Sequence, residues 1–181
     1  MVEAIFEAAA RILETEGFPG YTTNAVARRA GVSVGSLYQY FPGRDAITKA
    51  MILRETDALL TEVAALDGET HGRAGLGRLI AAAVTHQLRR PALARLLDVE
   101  EARLPLDAEV GRVGARLRMA IDRFLDAPDM AWAHRHPQDA DDLLALVKGL
   151  VDGAGARGEQ DAAALQARVE RAVFGYLAGA A

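Results

Sequence analysis

YTTNAVARRAGVSVGSLYQYFPGR, running from Tyr21 to Arg44, decides the reading of this chain. It reads as two short helices joined by a tight turn and closed by an aromatic stop. Thr22 and Thr23 offer side-chain oxygens to the free N–H groups of a starting helix. That helix is expected over 24–30, with Ala25, Val26, Ala27 and Ala30 as a small, apolar inner face. Gly31 ends it, because the residue after a helix often takes a positive φ. Ser33 then caps a second helix over 34–40, and Pro42-Gly43 stops it. Helices this short do not persist alone, since nucleation is costly, so both must lean on a neighbour.

The faces of the second helix differ in kind. Leu37, Phe41 and one edge of Tyr38 are expected to point inward, leaving Val34, Gly35, Ser36, Gln39 and Tyr40 outside or at the N-terminus. Glycine inside a helix costs about 1 kcal/mol against alanine. Gly35 therefore implies that something outside the chain approaches the backbone closely. This is helix-turn-helix geometry, in which the second helix enters the major groove and the first crosses the phosphate backbone.

The run Thr22-Thr23, Val26-Ala27, Ala30-Gly31-Val32-Ser33, Gly35-Ser36-Leu37-Tyr38, Tyr40-Phe41-Pro42 and then the basic Arg44 resembles the DNA-binding domain of TetR-family transcriptional regulators. The match is dense over about the first fifty residues, and the remainder shares only the family's helical pattern and length. The resemblance implies an all-α fold. A three-helix helix-turn-helix DNA-binding domain over 1–50 would be followed by a larger helical ligand-binding and dimerisation domain over 51–181. It implies a sequence-specific regulator, a ligand-responsive repressor that binds a palindromic operator as a homodimer, and not an enzyme. An all-helical small-molecule-binding protein without DNA-binding function is the alternative, and intact Gly35, Tyr40 and Arg44 argue against it.

Within that reading the interface residues take distinct roles. Thr23 at the first helix start, with Tyr40 and Arg44, suits phosphate contact. Val34, Ser36 and Gln39 suit base edges, since glutamine pairs bidentately with adenine and valine touches a thymine methyl. Gly35 admits the DNA to the backbone, and Ser33 opens the groove helix. Arg28 and Arg29 read equally well as phosphate contacts or as a solvated face.

Composition agrees. The chain has 181 residues and no cysteine, which removes disulfides and thiolate metal sites together. The net charge of −4 is unevenly spread. Residues 20–50 hold Arg28, Arg29, Arg44 and Lys49 against Asp45 alone, a local basic face on an acidic protein. No long charge-free apolar run reads as a membrane span, and the amphipathic start is no signal peptide. A cytoplasmic protein without a membrane partner is expected.

Periodicity predicts supporting helices over 2–16, 44–66, 72–90, 91–101, 107–125, 138–151 and 159–177. The stretch Gly153-Ala154-Gly155-Ala156-Arg157-Gly158 reads as a flexible connection. Met51, Leu88, Leu97, Leu117, Met119 and Phe124 are candidates to line an effector pocket for a small apolar or amphipathic molecule. Leu143, Val147 and Leu150, with Val169, Val173 and Tyr176, are candidates for a four-helix dimer interface. No cofactor or metal is expected. His134 and His136 have poor chelate spacing, and the acids Asp98, Glu100 and Glu101 scatter over different helix faces.

Overall fold

The computed structural model describes residues 1–133 and 135–179, and among them every regular element is helical. The α-helices are α1 (Val2–Gly20), α2 (Thr23–Ala30), α3 (Val34–Tyr40), α4 (Arg44–Ala64), α5 (Gly72–Arg89), α6 (Pro91–Arg103), α7 (Asp107–Leu125), α8 (Asp139–Ala156) and α9 (Ala162–Ala178), with a 3₁₀ turn at Pro128–Met130. His134 lies outside the described residues.

The first compact unit combines Met1–Glu55 with Ala92–Leu106. Its core begins with Ile5, Ala9, Ile12 and Leu13, one face of α1 at helical spacing. Gly17 breaks α1 where the pattern placed its end, and Phe18 and Tyr21 pack below the hairpin. Val26 and Ala27 of α2 and Leu37 of α3 fill the space above, all fully buried. Leu93 and Leu97 of α6, with Leu104 and Leu106 after it, complete the same core. That contribution departs from a division at residue 50: α6 packs with the hairpin, and so does α4 as far as Glu55.

The second unit comprises Thr56–Pro91 and the chain from Asp107 onward. Leu76, Ile80 and Val84 of α5 face Leu143 and Val151 of α8 and the four-residue ladder Leu165, Val169, Val173, Leu177 of α9. Ile121, Phe124 and Leu125 of α7 close this core. The start of α5 is capped from far along the chain. Asp129 accepts hydrogen bonds from Gly72 N–H at 2.8 Å and Arg73 N–H at 3.1 Å. Those two donors hold its carboxyl below the usual range.

The glycine-rich stretch after Val151 is not a linker. α8 continues through Ala156, with Ala154 and Gly155 buried. Gly155 leaves room for Gln87, since a β-carbon there would stand 2.5 Å from the Gln87 amide nitrogen and the side chain would have to shift. The actual connection is the shorter 157–161, after which Asp161 caps α9 through Ala164 N–H at 2.9 Å.

Candidate nucleic-acid interface

Local chemistry shapes the hairpin. The Thr22 hydroxyl accepts from Ala25 N–H at 3.1 Å and opens α2, so Thr23 is the first residue inside the helix. Gly31 takes φ +70° and returns its N–H to Ala27 and Arg28 carbonyls, ending α2 in a left-handed cap. Ser33 Oγ accepts from Ser36 N–H at 2.9 Å and opens α3. The two serine hydroxyls also pair at 2.8 Å. Ser33 therefore serves the helix first, and its cap orients Ser36.

Buried Leu37 fixes the inward direction of α3. At about 100° per residue, Gly35 and Gln39 fall opposite it, at the centre of the outward face. Val34 is 38% exposed and Tyr40 50%, one on each flank of that face. Nothing of the chain itself comes closer than 3.8 Å to the position of a β-carbon at Gly35. The helix pays for a glycine that its own packing does not require.

Tyr38 departs from the inward expectation. It is 49% exposed, and its hydroxyl pairs with Thr23 Oγ1 at 3.3 Å, joining the outer edges of α2 and α3. Sequence reasoning left it out of the interface, although its position one turn after Val34 was the available signal. Arg28 and Arg29 are exposed at the end of α2, and Arg44 is exposed at the start of α4.

The base of the hairpin is held by a buried hydroxyl relay. Thr48 donates to the Arg44 carbonyl at 3.1 Å, so Tyr21 must donate to Thr48 Oγ1, 3.1 Å away. Burial pushes the Tyr21 hydroxyl up to about 12 and keeps it a donor at neutral pH. The relay fixes the first turn of α4, and with it Arg44, whose guanidinium lies 6.0 Å from the Tyr21 ring centre. Asp45 follows, 3.8 Å from Arg44 Nε, and also accepts from Arg103 of α6.

The other anticipated residues are scattered. Met51 and Leu97 are interior to the first unit's core. Phe124 is interior to the second, and Leu88 is half-buried against it. Leu117 alone of the anticipated pocket residues lines an apolar chamber of about 70 Å³ in the second unit. Met119 is 72% exposed, because it stands on the outer face of α7. Leu143, Val169 and Val173 are spent on the contacts of α8 and α9 with α5 within one chain. Val147, Leu150 and Tyr176 retain exposure. The Tyr176 hydroxyl is already tied to Asp142 at 2.7 Å and Asp139 at 3.2 Å. Among the described residues no group of three His, Cys, Asp or Glu side chains is arranged to hold a metal ion. No described helix is long and apolar enough to cross a membrane.

Residues 5–51 match the family model for bacterial regulatory proteins of the tetR family. The nucleoid occlusion factor SlmA of Vibrio campbellii is 27% identical over 158 residues, 83% of this chain and 80% of that protein. SlmA of Photobacterium profundum is 26% identical over the same length. In fold, the chain is similar to a tetR-family regulatory protein from Rhodococcus RHA1, with a TM-score of 0.81 at 19% identity over 99% of this chain and 98% of that one. It is similar also to the fatty acid degradation regulator FadR of Bacillus halodurans, with a TM-score of 0.80 at 15% identity over 97% and 95%. The capped hairpin lies in the stretch, residues 5–51, that matches the DNA-binding domain of tetR-family regulators, and the all-helical fold it leads into is the fold of the regulators of that family named above.

Proposed function

We propose that the protein is a ligand-responsive repressor in the cytoplasm that binds a palindromic operator as a homodimer. The observation that carries the DNA-facing half of this reading is the outward face of α3. Gly35 and Gln39 lie opposite buried Leu37, flanked by exposed Val34 and Tyr40, and a β-carbon at Gly35 would meet only Ser33 Oγ, at an ordinary 3.8 Å. Thr23, Tyr40 and Arg44 contact phosphates; Val34, Ser36 and Gln39 read bases; Ser33 sets the start of the groove helix.

The homodimer reading rests on the outer faces of α8 and α9. Val147 and Leu150, together with Leu146, are half-buried on α8 beside exposed Ala145 and Gly149. On α9, Ala167, Gly175 and Ala178 are exposed next to Tyr176. Small residues on both helices permit the close approach of a four-helix interface. A twofold pair of readers then demands an inverted-repeat site.

Selection of bound sequences from a random double-stranded DNA pool, at fixed moderate salt, tests the reading. An enriched inverted repeat is expected, and the absence of any enriched sequence with folded protein in hand would overturn it. The similarity to nucleoid occlusion factors favours a second reading, DNA binding in service of the nucleoid rather than a promoter. Mapping the selected repeat separates the two: a few upstream sites support the regulator, and many sites dispersed along the chromosome support the other role.

A further inference from the structure

The apolar chamber between α5, α7 and α8 measures about 70 Å³, roughly half of the 150 Å³ with which an engineered apolar cavity holds benzene. A wider space opens elsewhere in the second unit, along the first two turns of α5. It is a solvent-open groove of about 460 Å³. Arg73, Ala74 and Gly77 line it from α5, Asp129 from the 3₁₀ turn, and Glu170 and Phe174 from α9. Its walls are mostly polar and carry both signs of charge.

The charges stand in a register that the two helices set. Arg73 and Gly77 are one turn apart on α5, and Glu170 and Phe174 one turn apart on α9. The Arg73 guanidinium carbon lies 4.1 Å from the centre of the Phe174 ring. A β-carbon at Gly77 would come within 3.6 Å of Glu170 Oε1. The helices are therefore antiparallel here, with a cation on one rung and a carboxylate on the next, about 6 Å along the axis. Gly77 puts no side chain beside the carboxylate, so that rung stays open.

Neither charge is neutralised by an ion pair among the described residues. The guanidinium rests on the Phe174 ring, and half-buried Glu170 accepts from the neutral Gln166 amide at 2.8 Å. The other acid in the groove is engaged, since Asp129 turns its two oxygens to the Gly72 and Arg73 N–H groups. His71 enters from the loop before α5 and is exposed, with Nδ1 3.3 Å from Glu69. An anionic ligand would meet the Glu170 carboxylate, and a cationic ligand would meet Arg73. A molecule carrying both charges satisfies the two rungs at once.

We propose that this groove binds the zwitterionic head of an α-amino acid, its carboxylate on Arg73 and its ammonium on Glu170. With one charge-assisted hydrogen bond of about 2.8 Å at each end, such a head bridges the two rungs. The amino-acid side chain then lies along the open mouth of the groove. This names a ligand class for the second unit and rests on the reading of that unit as ligand-responsive.

Calorimetric titration of the full chain at pH 7 with L-glutamine tests the assignment, because its neutral side chain adds no third charge. N-acetyl-L-glutamine removes the ammonium, and L-glutaminamide removes the carboxylate. L-glutamine is expected to bind, and each derivative at least tenfold more weakly, the share of one hydrogen bond between charged groups. Glu170→Gln keeps an acceptor for Gln166, and Arg73→Met keeps an unbranched stem over Phe174. Both variants are expected to fold as the wild type does and to bind L-glutamine at least tenfold more weakly. A derivative that binds as tightly as L-glutamine, or a variant with wild-type affinity, would overturn the two-charge site. Failure of L-glutamine to bind the wild type would overturn it as well, and would leave the ligand-responsive reading to be met by another molecule. Anisotropy on the selected operator with saturating L-glutamine separates the site from its use. A changed DNA affinity supports both, and an unchanged one overturns the effector role of a site that binding has confirmed.

Discussion

Arg103 of α6 donates two hydrogen bonds, at 2.8 and 3.2 Å, to the Asp45 carboxylate in the first turn of α4. The same guanidinium is paired with Glu100, which is buried. Asp45 is thereby held below the usual carboxylate range, chiefly by the Arg103 hydrogen bond. It also stands next to Arg44, the phosphate candidate, with 3.8 Å between Asp45 Oδ1 and Arg44 Nε. One carboxylate thus has two possible cations, and Arg103 has the better geometry.

The first prediction follows from that competition. Arg103→Ala releases Asp45 to Arg44, and a neutralised Arg44 contributes less to phosphate binding. DNA affinity is expected to fall about fivefold, on the scale of one weakened phosphate contact. Asp45→Asn in the Arg103→Ala background removes the competing charge and is expected to restore affinity to within about twofold of wild type. Fluorescence anisotropy on the selected operator reads both. No rescue in the double variant would mean that Arg103 acts only by supporting the fold.

The second concerns the contact residues themselves. Arg44→Ala and Tyr40→Phe are expected to weaken binding across all sequences, and Arg44→Ala to lower the slope of log affinity against log salt by about 1. Gln39→Ala is expected to alter preference at one base pair in each half-site, by about 1–3 kcal/mol. Unchanged preference after Gln39→Ala would place the centre of the α3 face away from the bases.

These two predictions draw on parts of the molecule that were legible to very different degrees. Thr22, Gly31 and Ser33 declare the hairpin because capping is local chemistry, and the structure returns their hydrogen bonds nearly residue for residue. Leu93, Leu97 and Arg103 declare nothing of the kind. A leucine stripe on a short helix states that a partner exists without naming it, and α6 finds its partners in the hairpin's core. Leu143, Val169 and Val173 failed as dimer candidates for the same reason: the apolar stripe of a helix does not say whether its own chain or a second copy covers it. Gly155 misled in another way. Its glycine-rich surroundings looked like a linker, whereas the helix uses the missing β-carbon to admit Gln87.

The third prediction tests the buried relay below the hairpin. Tyr21 is raised from 10.0 to about 12 by burial, so its neutral form is favoured in the folded protein. A group raised on folding contributes fully below its unfolded value and loses that contribution as pH climbs to the folded one. Stability is therefore expected to decline between pH 10 and 12, with up to about 3 kcal/mol at stake for this group. Tyr21→Phe cannot ionise, and Thr48 keeps its bond to the Arg44 carbonyl. Urea unfolding at pH 8, 10 and 11 is expected to show a shallower alkaline loss for the variant. Parallel pH profiles would show that Tyr21 is not the group responsible.

The fourth prediction separates what the fold needs from what the ligand needs at two glycines four residues apart. Gly31 has φ +70°, and no atom of the chain lies within 4 Å of an added β-carbon. Gly31→Ala therefore meets a conformational penalty alone, about 1 kcal/mol of stability. Folded Gly31→Ala protein is expected to keep DNA affinity within about twofold, because that alanine changes no group on the outward face of α3. Gly35 is ordinary helix, and an added β-carbon would meet only Ser33 Oγ, at an ordinary 3.8 Å. Gly35→Ala exchanges a poor helix former for the best one, so stability is expected to hold or rise by up to about 1 kcal/mol. Yet the new methyl stands at the centre of the outward face, between the α3 backbone and whatever docks there. Operator affinity is expected to fall at least tenfold, the effect of about 1.4 kcal/mol of lost contact. Thermal unfolding and anisotropy on the same two preparations read both quantities. A Gly35→Ala protein that is stable and binds DNA as the wild type does would remove the physical reason for glycine at that position, and with it the close approach of DNA to α3.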